Sequence, residues 1–331
     1  HWVTNNRNID DIKYDDKLLA QTTIPREKLP DLTRAVDVIG TLTARAAVEL
    51  GLNENTKVVG GTPDVPAAAV GSGAVGDFEG HLYVGTSSWL TCHVPFKKTD
   101  LIHNMASLPS ALPGRYFIGN EQETAGACMT WLRDNVFCRD DVLSPGGPPE
   151  DVFDRLNQLA TEAPPGSDKV IFTPWLYGEH TPVADHNLRA AFSNVSLRTT
   201  RAHMIRAVME GVAYNTRWLM SGVESFIGRP FEAIRFIGGG AKSELWCQIF
   251  ADVLDRPIDR VDDPLSANVR GAAFVAAVGL GKLEVEDIPS RVPIQKRYHP
   301  GQDNRAIYDE LFKAFLEIQK NNTAMYSRLN G

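Results

Sequence analysis

Three apolar runs, each ending in a glycine turn, constrain this chain more than any other feature: Lys57-Val58-Val59-Gly60-Gly61, His81-Leu82-Tyr83-Val84-Gly85, and Ile234-Arg235-Phe236-Ile237 before Gly238-Gly239-Gly240. Short apolar runs of this kind predict buried strands, and the glycines predict tight turns after them. Elsewhere the apolar residues recur at helical spacing. Ile205, Val208, Met209, Val212 and Leu219 predict one long helix from Thr200 with a single buried stripe. Leu245, Trp246, Ile249, Phe250 and Val253 predict another, with Ser243 as its N-cap. Further helices are expected over Ala44 to Leu50 with Gly51 as stop, Thr124 to Asn135, Ala267 to Val278, and around Ile307, Leu311, Phe315 and Ile318. Lys169 to Phe172 reads as another strand, Pro66 to Val70 as an alanine-rich segment, and Ser144-Pro145-Gly146-Gly147-Pro148-Pro149 as a loop. Strands alternating with helices predict an α/β fold.

With 331 residues, 43% of them hydrophobic and 23% charged, the chain is long enough for two packed cores. The formal net charge of -7, with no cluster of Lys and Arg, argues against a nucleic-acid or anionic-membrane binder. Cys92, Cys128, Cys138 and Cys247 lie far apart without a C-x-x-C pair, so neither a zinc site nor a disulfide framework is expected. No apolar run approaches the roughly 20 residues of a membrane span. The opening residues carry no secretion signal, and a cytoplasmic location is expected. The chain starts at His1 without an initiator Met and reads as a fragment of a longer protein.

Where strands end in glycine, backbone N–H groups can converge on an anion. Each turn is therefore either a phosphate cradle or an ordinary tight turn. None matches G-x-x-x-x-G-K-[ST], and Ser243 stands where a dinucleotide G-x-G-x-x-G would need its third glycine. Asp64 follows the first turn, where a carboxylate could take a proton from an alcohol or simply cap the helix after Pro66. Glu179 and His180 occupy a loop, with a surface ion pair, a hydrogen bond or a ligand contact all open to them. The eight histidines include no H-E-x-x-H pair, so no metal-ligating residues are expected. Ser87 and Ser88 lack the G-x-S-x-G setting of a serine hydrolase.

Taken together these segments resemble the FGGY carbohydrate kinases, xylulokinase-like members in particular, in the order of that family's landmarks along nearly the whole chain. Gly60-Gly61-Thr62-Pro63-Asp64 with Ala67-Ala68-Ala69-Val70-Gly71 resembles the catalytic-aspartate loop, and Leu82-Tyr83-Val84-Gly85-Thr86-Ser87 the second phosphate motif. Phe236 to Trp246, through Gly238-Gly239-Gly240-Ala241-Lys242-Ser243, is similar to the adenosine motif. The resemblance implies an actin-like ATPase (ribonuclease H-like) two-domain α/β fold with its first domain incomplete. Residues 1–78 would then be the remainder of an N-terminal sugar-binding domain, and 79–331 a C-terminal ATP-binding domain.

By the same resemblance Asp64 would deprotonate the sugar hydroxyl, and Gly85 and Thr86 would meet the terminal phosphates of ATP. Gly126 and Thr130 would line the nucleotide site, and Gly240 and Ala241 would lie against the adenosine. Phosphoryl transfer from ATP with Mg2+ to a pentulose such as xylulose is the implied reaction. A hexulose or a polyol such as glycerol, a non-catalytic nucleotide-binding module and an actin-like chaperone or filament protein are the alternatives, and a homodimer stays open. Val65 stands where several members have an amide side chain that touches the sugar, and His180 replaces the arginine of the usual G-E-R-T-P. The family's D-x-G-T loop would lie upstream of His1, so this chain by itself is expected to be a poor kinase.

Overall fold

A computed structural model describes residues 3–142 and 145–331, so His1, Trp2 and Ser144 of the segments above lie outside the described residues. In chain order, β1 (Val38–Thr41) leads through α1 (Ala44–Leu50) to β2 (Lys57–Val59), α2 (Asp64–Gly71) and the hairpin β3 (Gly80–Val84) and β4 (Ser88–Thr91). After a separate four-stranded antiparallel sheet between residues 93 and 119 come α3 (Gly126–Leu132), α4 (Val152–Ala160), β5 (Ile171–Thr173) and β6 (Ala191–Ser193). The 27-residue α5 (Arg201–Ile227) is followed by β7 (Ile234–Ile237), α6 (Glu244–Leu254), β8 (Ile258–Val261), α7 (Ala267–Gly279), β9 (Ile294–Tyr298) and α8 (Arg305–Asn330).

Two of the three glycine-ended strands are neighbours. The main sheet runs β9-β8-β7-β3-β4, with β7 parallel to both β3 and β8, and antiparallel strands at either edge. Its three central strands are buried almost throughout, as parallel strands covered on both faces must be. Because β3 and β7 are parallel and in register from Gly80 against Ile234, their C-terminal glycines emerge side by side. The third such strand, β2, lies outside this sheet in a two-stranded ladder with β1.

Most helices form where apolar periodicity places them. Gly51 ends α1 at φ 65, and Ser243 accepts a hydrogen bond from Trp246 N to cap α6. Three expectations are corrected. The long helix α5 is buried on every side between Ile205 and Thr216, not along one stripe, because it is wrapped by α3, α4, α6, β4 and β5. The helix expected from Thr124 starts at Gly126 and gives way at Arg133 to a wider π-turn ending at Phe137. The strand expected from Lys169 begins at Ile171, since Ser167 to Lys169 form a 3-10 turn.

A second, smaller core of Ala68, Trp89, Ile237, Val261, Ala267 and Val292 joins α2 and α7 to the sheet. There α2 and α7 cross at glycines. A Cβ on Gly71 would fall 1.8 Å from the Ala267 carbonyl oxygen, and one on Gly271 would fall 1.8 Å from that of Ala67. Only glycine at both positions lets the backbones meet. Among the described residues no helix is long and apolar enough to cross a membrane.

Candidate active site

The ends of β3 and β7 form one continuous floor. Gly85 N donates to Ser87 O at 2.9 Å to close the β3–β4 turn, and the start of α3 hangs on that turn through Ala125 N to Thr86 O (2.9 Å) and Gly126 N to Gly85 O (2.7 Å). A Cβ on Gly126 would fall 2.3 Å from Gly85 O. On the other flank a Cβ on Gly238 would fall 2.5 Å from Val84 O, and one on Gly240 would fall 2.9 Å from Val84 Cβ. Gly85, Gly126 and Gly240 therefore pack tightly around the C-terminal end of β3, where any Cβ would strike neighbouring protein atoms.

The remaining expected residues take different stations. Thr86 is exposed at the turn, and Thr130 is exposed on α3 one helical turn beyond Gly126, on the same face. Ala241 is fully buried in the main core beneath its turn, whereas Gly239 faces open space. Asp64 is the first residue of α2, directly after Pro63, and its Oδ1 accepts from Val65 N at 2.9 Å. The carboxylate is exposed.

Tyr83 joins these pieces, and the sequence reading passed over it. Its ring stacks on Trp89 across the β3–β4 hairpin, with centroids 3.9 Å apart and planes 10° apart. A Cβ on Gly85 would fall 2.1 Å from the Tyr83 hydroxyl, and one on Gly238 would fall 3.1 Å from Tyr83 Cδ2. Burial, and then the negative charge of Asp64, push the Tyr83 phenol above its ordinary pKa. The β3 turn and the β7 turn thus both pack against this one ring, which feels the charge of Asp64. Strand alternation was the available signal, because residues 83 and 85 of an extended strand point to the same face.

Beneath α3 lies a buried polar network. Glu179 is not a surface residue but is 1% exposed, accepting from Glu123 N at 3.1 Å, from His180 N at 2.8 Å and from Asn215 Nδ2. Asn215 O accepts from Gln122 Nε2 at 2.8 Å, and Asn215 Oδ1 from Trp175 Nε1 at 3.2 Å. Burial pushes the Glu179 carboxyl up to about 7 against the pull of these donors. The network holds segment 121–125, which sets Gly126 against the β3 turn. Ser88 belongs to it too, its Oγ donating to Gln122 Oε1 at 3.2 Å.

The model of the C-terminal domain of the FGGY family of carbohydrate kinases matches residues 81–280, and that of the N-terminal domain matches residues 3–71. The chain belongs to the FGGY family of carbohydrate kinases. It is 28% identical over 296 residues to a xylulose kinase of Staphylococcus epidermidis, covering 88% of this chain and 56% of that protein. A ligand-bound xylulose kinase from Lactobacillus acidophilus superposes with a TM-score of 0.85 at 27% identity, over 98% of this chain and 63% of that one. A gluconate kinase from the same organism gives 0.83 at 27% identity, over 96% and 62%. The chain therefore spans somewhat less than two thirds of the length of these relatives. Its fold is the α/β actin-like ATPase fold of the FGGY kinases.

Gly239, exposed at the end of β7 with nothing within 4 Å of a Cβ placed there, leaves backbone open to the approach of a nucleotide. Among the described residues no group of three or more His, Cys, Asp or Glu is arranged as a metal cage. Mg2+ commonly arrives on nucleotide phosphates with most of its waters and one or two carboxylates, and the exposed Asp64 beside the turn suits that mode.

Proposed function

We propose that the protein carrying this chain transfers the terminal phosphoryl group of Mg-ATP to a hydroxyl of a pentulose such as xylulose. The observation that carries the reading is the packing of two glycine turns, at the ends of β3 and β7, against the Tyr83 ring, with the exposed carboxylate of Asp64 close enough for its charge to be felt there. Asp64 takes the proton of the attacking hydroxyl as its oxygen approaches phosphorus. Gly85 and Thr86 hold the terminal phosphates, Gly126 and Thr130 line the nucleotide, and Gly240, with Ala241 under it, forms the floor for the adenosine. Positioning and neutralisation of charge supply most of the acceleration. Residues 1–78 then serve the sugar and residues 79–331 the nucleotide, a division supported by the main sheet's beginning at Gly80.

The test is ADP release by the protein carrying this chain, with Mg-ATP against pentuloses, hexuloses, gluconate and polyols. A response to xylulose or another pentulose upholds the reading. A response to gluconate or a polyol alone moves the acceptor class and leaves the kinase. ADP release without any acceptor, or none at all, overturns it.

A further inference from the structure

The Tyr83 hydroxyl has a position that packing alone does not explain. Its ring is fixed by the stack on Trp89 and by the small core beneath α2, and a phenylalanine ring would fill that space equally well. Among the described residues no hydrogen bond engages the hydroxyl, although it sits directly over the Cα of Gly85 and within the field of Asp64. A half-buried hydroxyl lying over the glycine turn at Gly85, with no protein partner among the described residues, is placed to meet a ligand.

Resting on the kinase reading above, we infer that Tyr83 donates a hydrogen bond from its hydroxyl to the phosphoryl group being transferred. In that transfer a bond forms between the acceptor oxygen and phosphorus as the bond from phosphorus to the bridging oxygen of ADP breaks. The acceptor's proton passes to Asp64, the electron pair leaves on ADP, and Tyr83 keeps its proton throughout. It acts as a fixed donor aimed at developing charge, the role in which one preorganised group has a large effect on rate. The same geometry accounts for Gly85, where any side chain would strike the hydroxyl.

Tyr83→Phe keeps the stack and removes only the hydroxyl. The expected result is an unchanged melting temperature and acceptor KM, a kcat lower by about 10²-fold, and a reduced preference for AMP-PNP over ADP in calorimetric titration. Loss of either the rate or the AMP-PNP preference at an unchanged melting temperature upholds the inference. Parental values of both overturn it, as does a lowered melting temperature with equal weakening of ADP and AMP-PNP, which would mark Tyr83 as packing. If the parent releases no ADP with any acceptor, the kinase reading fails while the nucleotide titration still decides Tyr83. If the parent binds neither nucleotide, both fall.

Discussion

Gly71 of α2 and Gly271 of α7 press their backbones together so closely that a Cβ on Gly271 would fall 1.8 Å from a carbonyl oxygen of the facing helix. The helix that begins at Asp64 is thereby fixed to the part of the chain that follows the glycine turns of β3 and β7. The placement of Asp64 against the main sheet depends on this crossing.

Gly271→Ala must push α2 away from α7. Overpacking of this kind costs about 1–3 kcal/mol, which urea unfolding will register. Asp64 moves with α2, so kcat is expected to fall further than nucleotide affinity. Equal losses in both would place the crossing outside the catalytic geometry.

Asp64→Ala is expected to lower turnover by roughly 10²–10⁴-fold, the usual scale for a lost general base. Among the described residues the Asp64 side chain bonds only to its neighbour Val65, so the fold and ADP binding should be kept. Turnover and calorimetric ADP titration on the same preparation check both halves, and undiminished turnover removes the assignment.

Glu179 gives a pH dependence with a definite sign. Its carboxyl is raised to about 7 in the fold from an ordinary 4.5. The folded state therefore holds the proton more tightly, and this stabilisation is complete below the ordinary value and is lost as pH rises through about 7. Unfolding free energy should decline by roughly 2–4 kcal/mol between pH 4.5 and pH 8 from this group. Glu179→Gln cannot titrate and should remove that slope, which urea unfolding across the pH range will measure. An unaltered slope in the variant would assign it to other groups.

Much of this arrangement was legible in the sequence, for local reasons. The strand runs, the glycine turns, the Ser243 cap and the Gly51 stop each depend on residues within a few positions of one another. What was missed depends on distant partners. Glu179 is buried because Glu123 and Asn215 close over it, and neither is near it in the chain. The all-round burial of α5 follows from the elements that surround it, which its own periodicity does not encode. Ala241 lies beneath its turn because the 3-10 turn from Gly239 to Lys242 directs it into the core. Tyr83 looked like one more apolar strand residue until the hairpin register set it on Trp89, over Gly85.

The carbonyls of Gly85 and Thr86 accept from the backbone at Gly126, Ala125 and Ala127. Neither peptide plane can rotate without breaking those bonds, so the turn cannot present oxygen to an arriving anion. On the proposed kinase reading, the ordering that a phosphate turn at Gly85 demands is complete before any ligand comes. Association there should accordingly be a single fast event, without a slow isomerisation of the turn trailing behind it.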